Sequence, residues 1–148
     1  MVEIEYVEVT SEMCGLVAEI WGEVGARHLH IEDGFSILAM CGEKAAGLIS
    51  VYPRALPPPL SGVREAFIDM IDVVAEYRRR GVARRLIEMS ISRAREQGLH
   101  QIGAWSSEDK AEAIPMWKEL GFALCPGHDL SGRTGEWIRG YFVALQLA

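Results

Sequence analysis

Cysteines are few in this chain, and long hydrophobic runs are lacking. Of 148 residues only Cys14, Cys41 and Cys125 are cysteine, and they form no C-x-x-C pair. An odd and scattered set argues against a disulfide framework and a structural zinc site, and it fits a reducing cytosol. No apolar run approaches the about 20 residues that a membrane-spanning helix needs, and the acidic N-terminal segment does not resemble a signal peptide. We therefore expect a soluble cytoplasmic protein, with no membrane partner and no metal.

Positive charge is also scarce. The chain has 15 lysines and arginines against 21 aspartates and glutamates, which gives a net charge of −6. This balance argues against non-specific nucleic-acid binding and favours a cationic substrate. Hydrophobic residues make up 49% of the chain and charged residues 24%, as in ordinary globular proteins. The length predicts one domain over residues 1–148, which buries about two thirds of its unfolded surface.

The first half of the chain predicts four strands and one helix. Residues Val2 to Val9 predict a strand, and Ser11 is expected to cap the helix that follows. Two apolar runs on either side of residues 42–44 predict a hairpin. The proline-rich stretch from Pro53 to Gly62 predicts a stiff loop, and EAFIDMIDVV predicts a further strand.

A second helix is predicted to open at Gly81 and to end at Gly98. Small and apolar residues at helical spacing form its expected buried stripe, which comprises Val82, Leu86, Ile87, Ser90, Ile91 and Ala94. LHQIGAWSS then predicts another strand.

The last third of the chain predicts a short helix and two closing strands. Ser106 and Asp109 have capping-box spacing at the head of a helix that runs to Leu120, and Pro115 should kink or shorten it. Phe122–Leu124 and Trp137–Leu147 predict two strands, joined by a polar loop over residues 126–136. The order β-α-β-β-β-α-β-α-β-β predicts an α/β (α+β) fold, a mixed sheet covered by helices.

The scarce positive charge is concentrated in one place. Seven of the 15 basic residues lie between Arg78 and Arg95. An apolar strand, then Gly81, then a helix is an arrangement that points unpaired backbone N–H groups at an anion, and the helix start carries about half a positive charge. A solvated helix face and a nucleic-acid patch are the alternative interpretations. The glycine and the preceding strand favour a phosphate site.

Two motifs resemble those of the GNAT superfamily of N-acetyltransferases. RRRGVA, from Arg78 to Ala83, resembles the pyrophosphate-binding motif Q/R-x-x-G-x-G/A. AIPMWKELGF, from Ala113 to Phe122, resembles the second signature, A-I-x-x-Y-E-x-L-G-F. The motifs follow the family's order, and some resemblance extends to the aminoglycoside 6′-N-acetyltransferase type. The resemblance implies the GNAT fold, with a largely antiparallel sheet of six to seven strands.

The resemblance also implies acetyl-CoA as co-substrate. The pyrophosphate would lie on backbone amides of the arginine-rich loop, and the pantetheine arm would pair with the main chain of the preceding strand. The implied cofactor-binding residues are Ile71, Asp72, Val73, Arg78, Arg79, Arg80, Gly81, Val82, Ala83, Arg84 and Trp117.

The chain departs from the family at two positions. Trp117 stands where a tyrosine often protonates the departing CoA sulfur, and an indole N–H cannot act as a general acid. Lys110 replaces an asparagine that is usual at the head of that helix. A thiol with a pKa of about 8.5 leaves tolerably as a thiolate, so the loss need not abolish turnover. Tyr141 is a candidate substitute acid, with a purely structural tyrosine as the alternative.

Asp69 and Asp72 are the candidate general bases. Both lie in an otherwise apolar strand, where an unpaired carboxylate is costly. Alternation predicts that Asp69 shares a face with Phe67, Ile71 and Val73. Many GNAT sequences carry a glutamate at the position of Asp69. The alternatives are a carboxylate paired with arginine or one at a wet strand end.

These features predict an N-acetyltransferase that acts on a primary amine of a small cationic molecule, such as an aminoglycoside or a polyamine. One alternative is a non-catalytic acyl-CoA-binding module, and another is an enzyme acting on a protein or peptide amine. His28 and His30 lie in a segment that borders the substrate in the resembled family. A homodimer is left open, and no nucleic-acid partner is expected.

Overall fold

The computed structural model describes residues 3–147. The strands are β1 (Ile4–Glu8), β2 (Phe35–Cys41), β3 (Lys44–Ala55), β4 (Arg64–Val73), β5 (Gln101–Ser107), β6 (Ala123–Leu130) and β7 (Trp137–Gln146). The helices are α1 (Cys14–Arg27), α2 (Val82–Glu96) and α3 (Ile114–Glu119). Three 3₁₀ segments cover Ser11–Met13, Ala75–Tyr77 and Glu108–Ala113.

The described strands form one seven-stranded sheet in the order β1-β2-β3-β4-β5-β7-β6. Every neighbouring pair is antiparallel except β4 and β5, which run parallel with α2 as their crossover. A parallel pair needs such a crossover, because a tight turn joins only antiparallel strands. The predicted element order and the mixed, largely antiparallel sheet are confirmed.

Both faces of the sheet are covered, and the alternation of β2 and β3 explains why. Ile37 and Ile49 belong to the larger core on the face of α2 and α3, whereas Leu38 and Leu48 belong to the smaller core under α1. Consecutive side chains in a strand point to opposite faces, so uninterrupted apolar runs bury both sides. Each fully buried aliphatic side chain stabilises the fold by about 1.5–3 kcal/mol.

Helix α2 matches its prediction closely. Its buried residues are the six that were predicted as its stripe, namely Val82, Leu86, Ile87, Ser90, Ile91 and Ala94. The helix is capped by Gly81, with φ +77°, and Gly98 follows its end with φ +71°. Glycine adopts this left-handed backbone without steric cost.

Helix α1 differs from its prediction. Ser11 begins the 3₁₀ segment instead of capping the helix, and Met13 occupies the N-cap. Val17 and Gly25 are the buried residues of the helix, whereas the apolar Ile20 and Val24 are exposed. Gly22 has φ +71° within the helix and kinks it.

Two strand segments contain a proline and were predicted as loops. Strand β3 continues through Pro53 to Ala55, where a loop was predicted. Its pairing with β2 ends at Val51, and no strand among residues 3–147 pairs with that edge beyond Val51, so a missing N–H is tolerated there. Strand β6 likewise extends through Pro126 to Leu130, and the loop is limited to residues 131–136. Because β6 is an edge strand and is mostly exposed, it lacks an apolar alternation.

The predicted capping box before α3 is wrong, because Ser106 is buried within β5. The following segment is the 3₁₀ turn Glu108–Ala113, and Pro115 lies in the first turn of α3. Proline is tolerated there because that N–H has no helical partner. Pro115 thus shortens the helix, as predicted. The predicted first strand loses its outermost residues, and Val2 lies outside the described residues.

Candidate active site

Strands β4 and β5 separate in the middle of the sheet. Their pairing ends at Ile68 and Ala104, although β4 continues to Val73 and β5 to Ser107. A cleft of about 1130 Å³ opens where they part. From Asp69 onwards, the edge of β4 that faces β5 has no strand partner within the described chain. Its main chain is therefore available to a ligand.

The cleft collects nearly all the residues that were expected to bind the cofactor. Lining residues from that set are Ile71, Asp72, Val73, Arg78, Arg79, Gly81, Val82, Ala83, Arg84 and Trp117. Arg80 is the exception, because it does not line the cleft. Its guanidinium lies 5.5 Å from the centre of the Tyr77 ring. Lys110, at the position of the usual asparagine, also lines the cleft.

The N-terminus of α2 opens into this cleft. Arg79 and Gly81 both have left-handed backbone, with φ of +64° and +77°. The N–H of Arg85 donates to the carbonyl of Gly81, which is the first main-chain hydrogen bond of the helix. No side chain of the described residues caps the helix. The N–H groups of the first turn therefore remain for an anion, which the helix dipole favours.

The arginines beside this helix end differ in what holds them. Arg78 donates its Nε hydrogen to the carbonyl of Val73 at 3.0 Å, which fastens the loop to the end of β4. Arg84 is paired with Glu119 at the end of α3. Arg79 is exposed beside the cleft. Positive charge is thus available there without a rearrangement of the two braced side chains.

Two aromatic residues form the buried wall of the cleft. Trp117 is 3% exposed and packs edge-on against Phe122, and its Nε1 has no acceptor among the described residues. Tyr77 is also buried. Burial, followed by the negative charge of Glu76, raises the pKa of Tyr77. Its phenol therefore stays neutral at neutral pH.

A β-bulge in β4 sets the direction of the two aspartates. Ser50 of β3 is opposite Met70 and Val51 is opposite Ile68, so Asp69 is the extra residue. Met70 packs in the core under α1. The bulge thus puts Asp69 on the α1 face next to Met70, and it brings Asp72 to that face as well.

The bulge changes which residues of β4 share a face with Asp69. Ile71 and Val73 pack in the core under α2, on the face opposite to Asp69. The predicted shared face of Asp69 with Ile71 and Val73 is therefore wrong. Simple alternation would also have separated Asp69 from Asp72, because three residues is an odd spacing.

Each aspartate has a specific hydrogen-bond partner on the α1 side. Asp69 Oδ2 lies 2.8 Å from His30 Nε2, and its side chain is 25% exposed. Asp72 Oδ2 accepts a hydrogen bond from Trp21 Nε1 at 2.8 Å. Arg78 is 3.9 Å from the other oxygen of Asp72, too far for a hydrogen bond. Asp72 therefore has a weak arginine partner, whereas Asp69 is held by a histidine.

Tyr141 lies elsewhere. It lines a second pocket of about 480 Å³, together with Ile114, His128 and Arg139. That pocket and the cleft share no lining residue, and the 3₁₀ turn and α3 lie between them. Tyr141 is the cross-strand partner of Ser106, which lines the cleft, but Tyr141 lines the second pocket and the aspartates line the cleft. Within residues 3–147, no group of three or more potential ligand side chains converges on a metal site, and no helix is long and apolar enough to cross a bilayer.

Known proteins match this chain in family and in fold. The model of the acetyltransferase (GNAT) family matches residues 6–122. The ribosomal-protein-S18-alanine N-acetyltransferase of Escherichia coli is 17% identical, with a TM-score of 0.77 over 99% of this chain and 95% of that chain. Arabidopsis thaliana NAA60, in complex with a bisubstrate analogue, is 15% identical, with a TM-score of 0.80 over 97% and 98%. The putative acetyltransferase yncA of Salmonella typhimurium, with acetyl-CoA, is 17% identical, with a TM-score of 0.74 over 98% and 94%.

No curated protein sequence matches the chain. At such low identities the solved structures show a common fold, and the substrate of each neighbour remains its own. The family model spans most of the chain and carries the assignment. The protein belongs to the GNAT acetyltransferase family and is an acetyl-CoA-dependent N-acetyltransferase, with acetyl-CoA as its co-substrate.

Proposed function

We propose that this enzyme acetylates a primary amine of a small cationic molecule, with Asp69 as the general base. The observation that carries the proposal is the pair of carboxylates, Asp69 and Asp72, on one face of β4 where the sheet opens. A carboxylate pair attracts an ammonium group and includes a proton acceptor at the point of attack. The net charge of −6 favours the same class of acceptor.

The residues of the cleft fit acetyl-CoA. The uncapped start of α2 and the exposed Arg79 are complementary to a pyrophosphate. The edge of β4 at Ile71 to Val73 has no strand partner among the described residues, and it suits an extended arm that forms main-chain hydrogen bonds. The buried Trp117 Nε1 lacks an acceptor in the described chain. We assign cofactor binding to these elements. Arg78, bonded to the Val73 carbonyl, and Arg84, paired with Glu119, stabilise the surrounding structure.

Acetyl-CoA supplies the acetyl group as a thioester that a neutral amine attacks. Main-chain N–H groups on the free edge of β4 would stabilise the negative charge that develops on the carbonyl oxygen. Asp69 accepts the proton of the ammonium, since an amine of the lysine type has a pKa of about 10.4. The nitrogen–carbon bond forms and the carbon–sulfur bond breaks, so that CoA leaves as a thiolate. The attacking nitrogen then loses its second proton to solvent and becomes the amide nitrogen, and the thiolate takes up a proton from solvent.

No side chain is required to protonate that sulfur. A thiolate whose conjugate acid has a pKa of about 8.5 is a tolerable leaving group at neutral pH. Tyr141 lines a different pocket, and the indole of Trp117 is not an acid. We therefore propose turnover without a general acid, with Asp72 as the anionic contact of the acceptor and as the second candidate base.

A protein amine is the second candidate acceptor. The Escherichia coli neighbour is named for an alanine of a ribosomal protein, and its structure covers almost the whole of this chain. A peptide that begins with alanine would present its α-amine to the same carboxylates. The two candidates differ in what lies beyond the amine, because a polyamine offers further cations and a peptide offers a main chain.

Release of CoA thiol from acetyl-CoA tests the proposal. The panel contains spermidine, an aminoglycoside and an alanine-starting peptide, each at the same concentration and ionic strength. We expect the highest kcat/KM with one of the two polycations. A preference for the peptide would move the assignment to the second candidate. Tight CoA binding with no turnover on any amine would contradict the proposed function and favour a binding module.

A further inference from the structure

His30 lies between two carboxylates. Its Nε2 is 2.8 Å from Asp69 Oδ2, and its Nδ1 is 3.0 Å from Asp33 Oδ2. The imidazole is 14% exposed, whereas the Asp33 side chain is 68% exposed at the surface. A chain of three side chains thus runs from the cleft to solvent.

Contacts with Tyr52 and Ser36 also hold His30 in place. Its ring stacks on Tyr52 of β3, with the ring centres 4.5 Å apart. Its main-chain N–H donates to Ser36 Oγ at 3.0 Å, and that hydroxyl bonds to Ser50 Oγ at 2.9 Å. Both serines are fully buried in the sheet. The segment after α1 is therefore fastened to β2 and β3, and the direction of the ring is fixed before any substrate binds.

Each ring nitrogen lies within hydrogen-bond distance of a carboxylate oxygen, so each contact forms when that nitrogen carries a hydrogen. A neutral imidazole has one donor and one acceptor, so one of its nitrogens would direct a lone pair at a carboxylate. A doubly protonated ring donates to both carboxylates at once, through charge-assisted bonds. The titratable groups that face the ring are Asp33 from its own segment, Asp69 from β4 and Tyr52 from β3.

We infer that His30 is a positioning residue that acts through Asp69. It orients the Asp69 carboxylate towards the proton of the acceptor amine, while Asp33 holds the other side of the ring. This role rests on the proposed function of Asp69 as the base.

A double-mutant cycle tests the link between the two residues. His30→Gln removes the imidazole that bridges Asp33 and Asp69, so kcat should fall by at least about tenfold while the affinity for acetyl-CoA stays unchanged. In an Asp69→Asn background the same substitution should cause no further loss, because residues that act through one another are not additive. His100→Gln, at the start of β5 and at the opposite end of the sheet, is the matched control and should keep full turnover. Full turnover of His30→Gln, or an undiminished loss in the Asp69→Asn background, would overturn the inference.

A spectroscopic readout separates this inference from the proposed function, because it needs no turnover. Proton NMR of the wild-type protein should show two hydrogen-bonded ring N–H signals of His30, one on each nitrogen. Asp33→Ala and Asp69→Ala should each remove one of them, because alanine offers no acceptor to the ring N–H. Asp33 lies at the surface, so Asp33→Ala tests the clamp even where His30→Gln fails to fold. A single ring N–H signal in the wild-type protein would refute the clamp, whatever amine the enzyme acetylates.

Discussion

Asp69 and Asp72 lie on the same face of β4, although three residues of alternating strand would place them on opposite faces. One extra residue in the ladder, between the pairs formed by Ser50 and Val51, produces this arrangement. The bulge lies where β4 parts from β5, so the free main chain and both carboxylates reach the same opening. The candidate site therefore depends on an irregularity of the sheet as much as on the residues themselves.

Replacing Gly81 tests the assignment of the cofactor loop. Gly81→Glu places a negative charge at the uncapped start of α2, where we assign the pyrophosphate, so CoA affinity should fall by at least about tenfold. Isothermal titration calorimetry measures it directly.

Gly42→Glu is the matched control for this variant. Gly42 has φ +63° against +77° for Gly81, so both variants strain a left-handed backbone. Gly42 lies in the turn between β2 and β3, and CoA affinity should be unchanged there. Unchanged CoA binding by a folded Gly81→Glu protein would show that the phosphates lie elsewhere.

Tyr141→Phe should retain turnover within about twofold, since the hydroxyl lies in a pocket separate from the aspartates. Steady-state kinetics with the best amine of the panel measure this. A loss of tenfold or more, with the melting temperature unchanged, would restore Tyr141 as the acid. In that event the loop after β6 would have to move Tyr141 towards the cleft.

Leu86→Ala should destabilise the fold by about 2–5 kcal/mol, because Leu86 is fully buried between α2 and the sheet. Leu130→Ala, at an exposed position of β6, is the control and should change the free energy of unfolding by less than about 0.5 kcal/mol. Urea denaturation of both variants measures the difference. Equal stabilities would contradict the packing of α2.

Periodicity predicted α2 well because its signal is local. All six residues of its buried stripe follow from 3.6-residue spacing, and Gly81 and Gly98 mark its ends. The bulge at Asp69 has no such signal, since an extra residue becomes visible only when the partner strand is known. Alternation alone therefore assigned Ile71 and Val73 to the wrong face relative to Asp69.

The contact between Asp69 and His30 could not be predicted from the sequence either. His30 and Asp69 are 39 positions apart, and the pairing of the two intervening strands, β2 and β3, with β4 determines that they meet. The one local hint was His30 three residues before Asp33, a spacing that many loops contain by chance. The length of strand β6 was predicted too short for a different reason. Pro126 and an exposed edge leave no apolar pattern that would indicate a strand.

Asp69→Asn decides whether Asp69 is the general base. The amide keeps the shape of the side chain but cannot accept the proton of the ammonium, so kcat should fall by at least about tenfold. The deficit should shrink as the pH rises, because a larger fraction of the amine is then already neutral. Acetyl-CoA affinity should stay the same, since main chain and arginines are assigned to hold the cofactor.

Asp129→Asn, an exposed carboxylate on β6, is the matched control and should leave kcat unchanged. The decisive measurement is the pH–rate profile of Asp69→Asn beside that of the wild type, with melting temperatures recorded for both. We predict a deep loss of kcat at neutral pH that narrows in alkali, in a protein that still binds CoA. Full turnover per folded molecule across that range would contradict Asp69 as the base.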